Sequence, residues 1–178
     1  MDSNGSTCLM TVDGTDFRIQ EPMPFWSGWY SHKFKGPGLR YEIGVCIQTG
    51  WLVWVHGPYA CGRNNDIKIF RLYLQGLLDR GEKVVADGGY KDKGEGTTDT
   101  PSGLNNYDQY MKSMARARHE TLNRRFKQFT ILGGRYQGDL KEHKNYMLAI
   151  ANIVQIDIEL GKEPFQVTYN DRTSMYFD

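Results

Sequence analysis

The order in which extended and helical segments follow one another most constrains what this chain can fold into. Residues 8–19, CLMTVDGTDFRI, read as an extended segment with a tight turn at Asp13-Gly14 and a second extended stretch. YEIGVCIQ at 41–48 and WLVWVHGPY at 51–59 flank Thr49-Gly50, which predicts a hairpin rich in β-branched and aromatic residues. Asn64-Asn65-Asp66 then caps a helix running through IKIFRLYLQGLLDRG to Gly81. KVVADGGY at 83–90 reads as a short buried strand ending at Asp87. A long helix is predicted over 107–128, with Met111, Ala115, Leu122 and Phe126 inward, and a last helix over 142–160 after the break at Gly133-Gly134. Residues 20–38 and 91–106 carry loop composition. Three strands, helix, strand, helix, helix indicate an α/β fold, a mixed sheet with helices packed on it.

Composition narrows the class. The 178 residues suit one domain, expected over 7–161 with a short aromatic tail at 162–178. No window approaches the roughly 18 consecutive apolar residues of a membrane span, and MDSNGSTCLM lacks a secretory signal, so no membrane partner is expected. Three cysteines, Cys8, Cys46 and Cys61, form no CxxC pair and point to an intracellular, reducing compartment. A net charge of +1 excludes a uniformly basic nucleic-acid coat, but the average conceals an asymmetry. Residues 112–127 hold Lys112, Arg116, Arg118, Arg124, Arg125 and Lys127 against the single acid Glu120, and the remainder is net acidic. Such a focused field attracts phosphate, although a solvated helix face has the same composition.

Two aspartates end predicted strands: Asp13 at its turn and Asp87 before Gly88-Gly89. Strand ends in α/β sheets form the ligand crevice, so neighbouring strands would bring both carboxylates to one place. Facing carboxylates raise each other's pKa unless a cation neutralises them, and oxygen-only ligands favour Mg²⁺ or Mn²⁺. Either aspartate alone is also an ordinary turn residue. Glu120 has Arg116, Asn123, Arg124 and Lys127 as its helical neighbours. It reads either as a surface ion-pairing residue or as a third carboxylate set among phosphate-binding cations. His32, His56, His119 and His143 show no zinc spacing, and His119 reads as an exposed helix residue. Trp26, Trp29, Trp51 and Trp54 interleave with Lys33, Lys35 and Arg40; packing explains them more readily than stacking on unpaired bases. Cys46 and Cys61 read as small buried hydrophobes.

The ordered set TVDGTDFRI, HKFKGPGLRYEIGV, GPYACGRNNDIKIF, VVADGGY and ARHETLNRRFKQF resembles the DDE-type transposase domain of the PIF/Harbinger group. The likeness continues through HKNYMLAIANIVQIDIELGKEPFQVTY and covers most of residues 8–169. It implies a ribonuclease H-like fold and a catalytic Asp-Asp-Glu triad holding two divalent cations, Mg²⁺ or Mn²⁺. The DGT aspartate matches Asp13, the aspartate before the Gly-Tyr pair matches Asp87, and the glutamate separated by four residues from Arg-Phe-Lys matches Glu120. Asp66 matches a further recurrent aspartate, as a helix cap or an accessory near the site. The group's Pro-Gly turn is drawn out here as GPYACGRNND.

These observations lead to an expected metal-dependent DNA endonuclease and strand-transfer core. Arg116, Arg124 and Lys127 are the expected phosphate contacts. No helical DNA-reading domain is recognisable before Asp13, which leaves three readings: a fragment, recognition supplied by another protein, or a transposon relic. The expected partners are DNA, a separate Myb-like or helix-turn-helix recognition protein as a candidate, and a second copy of the chain as another. In a eukaryote the expected location is the nucleus. A non-catalytic, domesticated DNA- or protein-binding derivative of the same fold is the alternative, and a ribonuclease H-like enzyme acting on RNA or hybrids a third reading.

Overall fold

The computed structural model describes residues 7–91, 96–100 and 106–164. The tail from 165 and the side chains of Met111, Lys112 and Ala115 lie outside the described residues. The elements are β1 (Thr7–Arg18), β2 (Tyr30–Ser31), β3 (Gly36–Cys46), β4 (Leu52–Ala60), α1 (Asp66–Leu72), β5 (Glu82–Ala86), β6 (Thr98–Asp99), α2 (Asn106–Gln128), α3 (Thr130–Gly133) and α4 (His143–Glu159). The six strands form one sheet in the order β2-β3-β1-β5-β6, with β4 also paired to β3. β5 and β6 run parallel to their neighbours and the remaining pairs are antiparallel, so the sheet is mixed.

β1 runs unbroken through Asp13-Gly14, where the sequence suggests a turn. Its pairing to β3 is continuous from Met10↔Cys46 to Arg18↔Gly38. That ladder outweighs the turn preference of an Asp-Gly pair. The Thr49-Gly50 hairpin forms as expected, with Gly50 at φ 73°. The first helix is shorter than predicted: α1 stops at Leu72, and Gln75–Leu77 is a separate 3-10 turn. The break at Tyr73 (φ −130°, ψ −58°) lets Leu74 turn inward beside Phe70 while Leu72 and Leu77 stay exposed. A strand, β6, occupies part of the predicted loop 91–106, and β2 with the 3-10 turn Ser27–Trp29 part of the loop 20–38.

Strand alternation sends successive side chains to opposite faces. On one face Phe17, Tyr41 and Ile43 pack with Leu122 and Phe126 of α2 and with Met147 and Val154 of α4. On the other, Val12, Val84 and Tyr90 pack with Phe70 and Leu74. His143 is fully buried in the first core, its Nδ1 2.8 Å from the Tyr41 hydroxyl; burial lowers its pKa to about 4 and keeps it neutral. No disulfide joins the three cysteines; Cys61 is buried, whereas Cys8 and Cys46 are half-buried. Trp26 and Trp51 are about half exposed rather than packed in the core.

Asp16 of β1 and Arg40 of β3 form a buried bidentate pair, with Nε donating to Oδ1 at 2.7 Å and Nη2 to Oδ2 at 3.0 Å. The Ser31 hydroxyl donates to Oδ2 at 2.6 Å. Burial alone would raise the Asp16 carboxyl, but Arg40 and Ser31 hold it below its ordinary value. Its stabilising contribution is therefore complete above the unfolded pKa of about 3.9 and lost as pH falls through the lower folded value. Asp16→Asn, which strands a buried guanidinium, is expected to cost about 3–5 kcal/mol in urea unfolding. It should also flatten the acid limb of the stability profile below about pH 4.

Candidate active site

β1 pairs with β5 only as far as Val12↔Ala86. The next residue on each strand is an aspartate, Asp13 and Asp87, so the two carboxylates lie side by side where the parallel pairing ends. This is the crevice position of an open α/β sheet. Asp87 also caps the 3-10 turn Gly88–Tyr90, its Oδ1 accepting from the Gly89 N–H at 2.7 Å. Asp13 Oδ1 accepts from the Gly14 N–H at 2.8 Å.

Glu120 comes from α2. Two hydrogen bonds align that helix along β1: His119 Nε2 meets Thr11 Oγ1 at 2.7 Å, and Thr15 Oγ1 donates to Asn123 Oδ1 at 2.5 Å. Thr11, Asp13 and Thr15 share the strand face toward α2. The bracketing contacts thus bring Asp13 opposite the turn that bears Glu120. Asp13, Asp87 and Glu120 all line one cavity of about 220 Å³, together with Arg116 and His119. Leu122 and Phe126 are buried while Glu120, Arg116, Arg124 and Lys127 are exposed, so core and charged stripes occupy different faces as expected. Two residues differ from expectation. Arg118 is buried and donates to the Ile47 and Cys46 carbonyls, so it belongs to the scaffold rather than to the cationic face. His119 is 2% exposed, and burial lowers its pKa to about 4, so the cavity meets a neutral imidazole.

Asp66 also belongs to this locality. Asn65, not Asp66, caps α1, its side chain accepting from the Lys68 N–H. The Asp66 carboxylate instead lies beneath Gly14: a Cβ there would be 1.9 Å from Oδ1, and one on Gly89 would be 3.4 Å from Oδ2. Gly14 is therefore required by close approach and not by a turn. Arg40 Nη1 stands 3.2 Å from Asp66 Oδ1, an ion pair without a well-directed hydrogen bond.

The electrostatic balance is strained toward negative charge. Burial pushes Asp13 up to about 6; Lys33 opposes this, while Asp87 and Asp66 reinforce it. Burial likewise raises Asp66, and raises Glu42 to about 7 despite the hydrogen bond from Trp54 Nε1 at 2.9 Å. Carboxylates with so few donors suit a cation. Among the described residues, however, no three His, Cys, Asp or Glu side chains are gathered closely enough to enclose a metal ion by themselves. The arrangement fits a hard cation held by one or two carboxylates, with water and phosphate completing its shell.

Lys33, Phe34 and Arg18 are the neighbours that sequence reasoning did not place at the site. They line a second cavity that shares Asp13 and Glu120 with the first. The only signal was Phe34 between two lysines in HKFK.

Raised folded-state values for Asp13 and Glu42 mean that the folded protein binds protons at higher pH than the unfolded chain. Stability is gained below the folded values and lost as pH rises through about 6 and about 7. In a chelator, the rise in Tm that these two carboxylates produce from pH 8 to pH 5.5 is opposed by His119 and His143, whose pKa values of about 4 favour the protonated unfolded chain below about pH 6.5, so thermal melts of variants separate the contributions. Glu42→Gln should remove the upper part of that rise and Asp13→Asn the lower. A pH dependence of the metal-free Tm left unchanged by both variants would contradict the described electrostatics.

The profile of the DDE superfamily endonucleases matches residues 12–155, from the strand bearing Asp13 into α4. No curated protein and no solved structure is significantly similar to the chain. The matched region contains all three cavity carboxylates, and the six-stranded mixed sheet flanked by helices accords with the ribonuclease H-like architecture. The chain belongs to the DDE superfamily endonucleases.

Proposed function

We propose that this chain is the metal-dependent DNA endonuclease and strand-transfer core of a Harbinger-like transposase, with Asp13, Asp87 and Glu120 as its catalytic, metal-holding residues. The observation that carries the reading is the meeting of these three carboxylates around one cavity, where β1–β5 pairing ends. When bound there, two divalent cations, Mg²⁺ or Mn²⁺, would lower the pKa of an attacking water or 3′-hydroxyl and stabilise the leaving oxygen.

The chain's own residues supply the rest. Asp13 and Asp87 present adjacent oxygens from the sheet, and Glu120 closes the cavity from α2. Asp66 stays behind Gly14 as an accessory carboxylate, held by Arg40. Arg116 lies at the cavity itself, and exposed Arg124 and Lys127 extend the cationic track for a DNA backbone. Such contacts position a duplex without reading it. Sequence choice is accordingly assigned to a separate Myb-like or helix-turn-helix protein, with a second copy of the chain as a further partner. In a eukaryote this work belongs to the nucleus. A non-catalytic DNA-binding derivative is the second reading. It is favoured by one observation, that no three ligand side chains among the described residues already enclose a metal site.

Nicking of supercoiled plasmid in Mg²⁺ or Mn²⁺ tests the proposal. Glu120→Gln should lower the rate by roughly two orders of magnitude or more while leaving the unfolding free energy within about 1 kcal/mol of wild type. Glu142→Gln, at the start of α4 and away from the cavity, should nick like wild type. Equal nicking by Glu120→Gln and wild type would remove Glu120 from the triad.

Metal binding can be read without activity. Mn²⁺ should raise the Tm of the wild type, because it binds the folded state preferentially. Asp87→Asn should lose that increment, with metal-free stability equal or higher. An unchanged Mn²⁺ response in this variant would show that Asp87 is not a ligand.

A further inference from the structure

Beyond Glu120 the cleft does not close. β1 loses its β5 partner after Val12, and among the described residues a single bridge, Ile19↔Tyr136, reaches that edge farther on, with the Tyr136 N–H donating to the Arg18 carbonyl at 3.0 Å. The freed edge from Asp13 to Asp16, with the Arg18 side chain beyond it, floors a second cavity of about 420 Å³, roofed by Asn123 and Lys127 of α2 and closed by Gly133 of α3. The two cavities share Asp13 and Glu120, so the carboxylates stand between them.

The second cavity differs in chemistry from the first. Beyond the shared Asp13 and Glu120, its unneutralised charges are cationic: Arg18, Lys33 and Lys127. Asp16, the acid in its floor, is already neutralised by Arg40. Lys33 Nζ donates one hydrogen bond to the Gly14 carbonyl at 2.5 Å, which leaves two N–H groups for another acceptor. Phe34 forms an aromatic wall, and the Arg18 guanidinium lies over its ring at 5.1 Å from the centroid. An aromatic ring with an arginine plane, flanked by lysines, suits a nucleobase and its phosphate. The volume lies within the range for a site that accepts one small molecule and is ample for a single nucleotide.

We infer that this second cavity is a subsite for one unpaired nucleotide of the DNA strand, adjacent to the phosphate that lies over Asp13 and Glu120. Its base stacks on the Phe34–Arg18 platform, and its phosphate is held by Lys33 and Lys127. The inference rests on the nuclease reading for the position of the reacting phosphate, but stacking itself needs no cleavage. It also explains why two cations stand beside the carboxylates on the side away from Arg116. A strand entering past Arg116 and leaving past Lys127 meets positive charge on both sides of the reacting centre.

The test uses the full chain and a single-stranded deoxyoligonucleotide carrying 5-iododeoxyuridine, with Ca²⁺ as the cation. Ultraviolet cross-linking followed by peptide mapping should place the adduct in the segment containing Phe34. Phe34→Leu, which keeps apolar volume but removes the ring, should weaken oligonucleotide binding about tenfold in fluorescence anisotropy without changing its salt slope. Phe34→Trp should restore both affinity and adduct. Lys127→Ala should instead reduce the salt slope by about 0.7, one single-strand phosphate. Equal affinity of Phe34→Leu and wild type, or adducts confined to other segments, overturns the subsite. The Trp variant decides the matter if the Leu variant folds poorly: restored stacking supports the subsite and its absence overturns it. Plasmid nicking run in parallel separates the two proposals. Stacking at Phe34 without nicking in any cation would remove the nuclease and keep the subsite. Nicking without stacking would do the reverse.

Discussion

The buried pair between Asp16 and Arg40 is the interaction on which the rest of the site depends. Both oxygens of Asp16 accept from Arg40, tying the middle of β1 to β3. The remaining guanidinium nitrogen donates to the Asn64 carbonyl at 3.2 Å and faces the Asp66 carboxylate at the same distance. A planar fork cannot turn away from one partner without losing the others. Arg40 therefore fixes where α1 begins, and with it the approach of Asp66 to Gly14. Asp66, the second carboxylate facing Arg40, is thereby held against Gly14, the neighbour of Asp13.

This frame concentrates negative charge. Asp13, Asp66 and Glu42 are all raised by burial, and Asp13 also feels Asp87 and Asp66. Left alone, such a crevice favours protonation; a divalent cation offers the other way to relieve it. The buried, neutral His119 adds no charge of its own, because desolvation keeps it unprotonated. Its contribution is mechanical. Together with Asn123 it aligns α2 on β1, so Glu120 faces the aspartates while Leu122 and Phe126 remain in the core.

The early end of β1–β5 pairing has two consequences from one cause. It sets Asp13 and Asp87 side by side, and it leaves the rest of β1 with an open edge on which the second cavity forms. The cation-bearing turns of α2 lie across both. Membership among the DDE superfamily endonucleases gives this layout a substrate, DNA, and the proposed path of the strand follows the positions of Arg116, Lys127, Lys33 and Arg18.

The sequence by itself determined the succession of the main elements, a helix cap within Asn64-Asn65-Asp66, the hairpin at Thr49-Gly50, the extents of α2 and α4, and the separation of charged from apolar faces on α2. These are local properties, set by side-chain period, capping and turn chemistry among near neighbours. It misread Asp13-Gly14, because Asp-Gly has two physical uses and nothing local distinguishes them. Only tertiary structure decided between a turn and an open space, since the group that needs the space, Asp66, lies far along the chain. Likewise α1 ended early because Leu74 had to turn toward a core assembled from β1 and β5. Arg118 and His119 left the surface because the Ile47 carbonyl and Thr11 were waiting beneath α2. Register and layer packing are non-local, so the second cavity beside Phe34 became visible only once the strands had been paired.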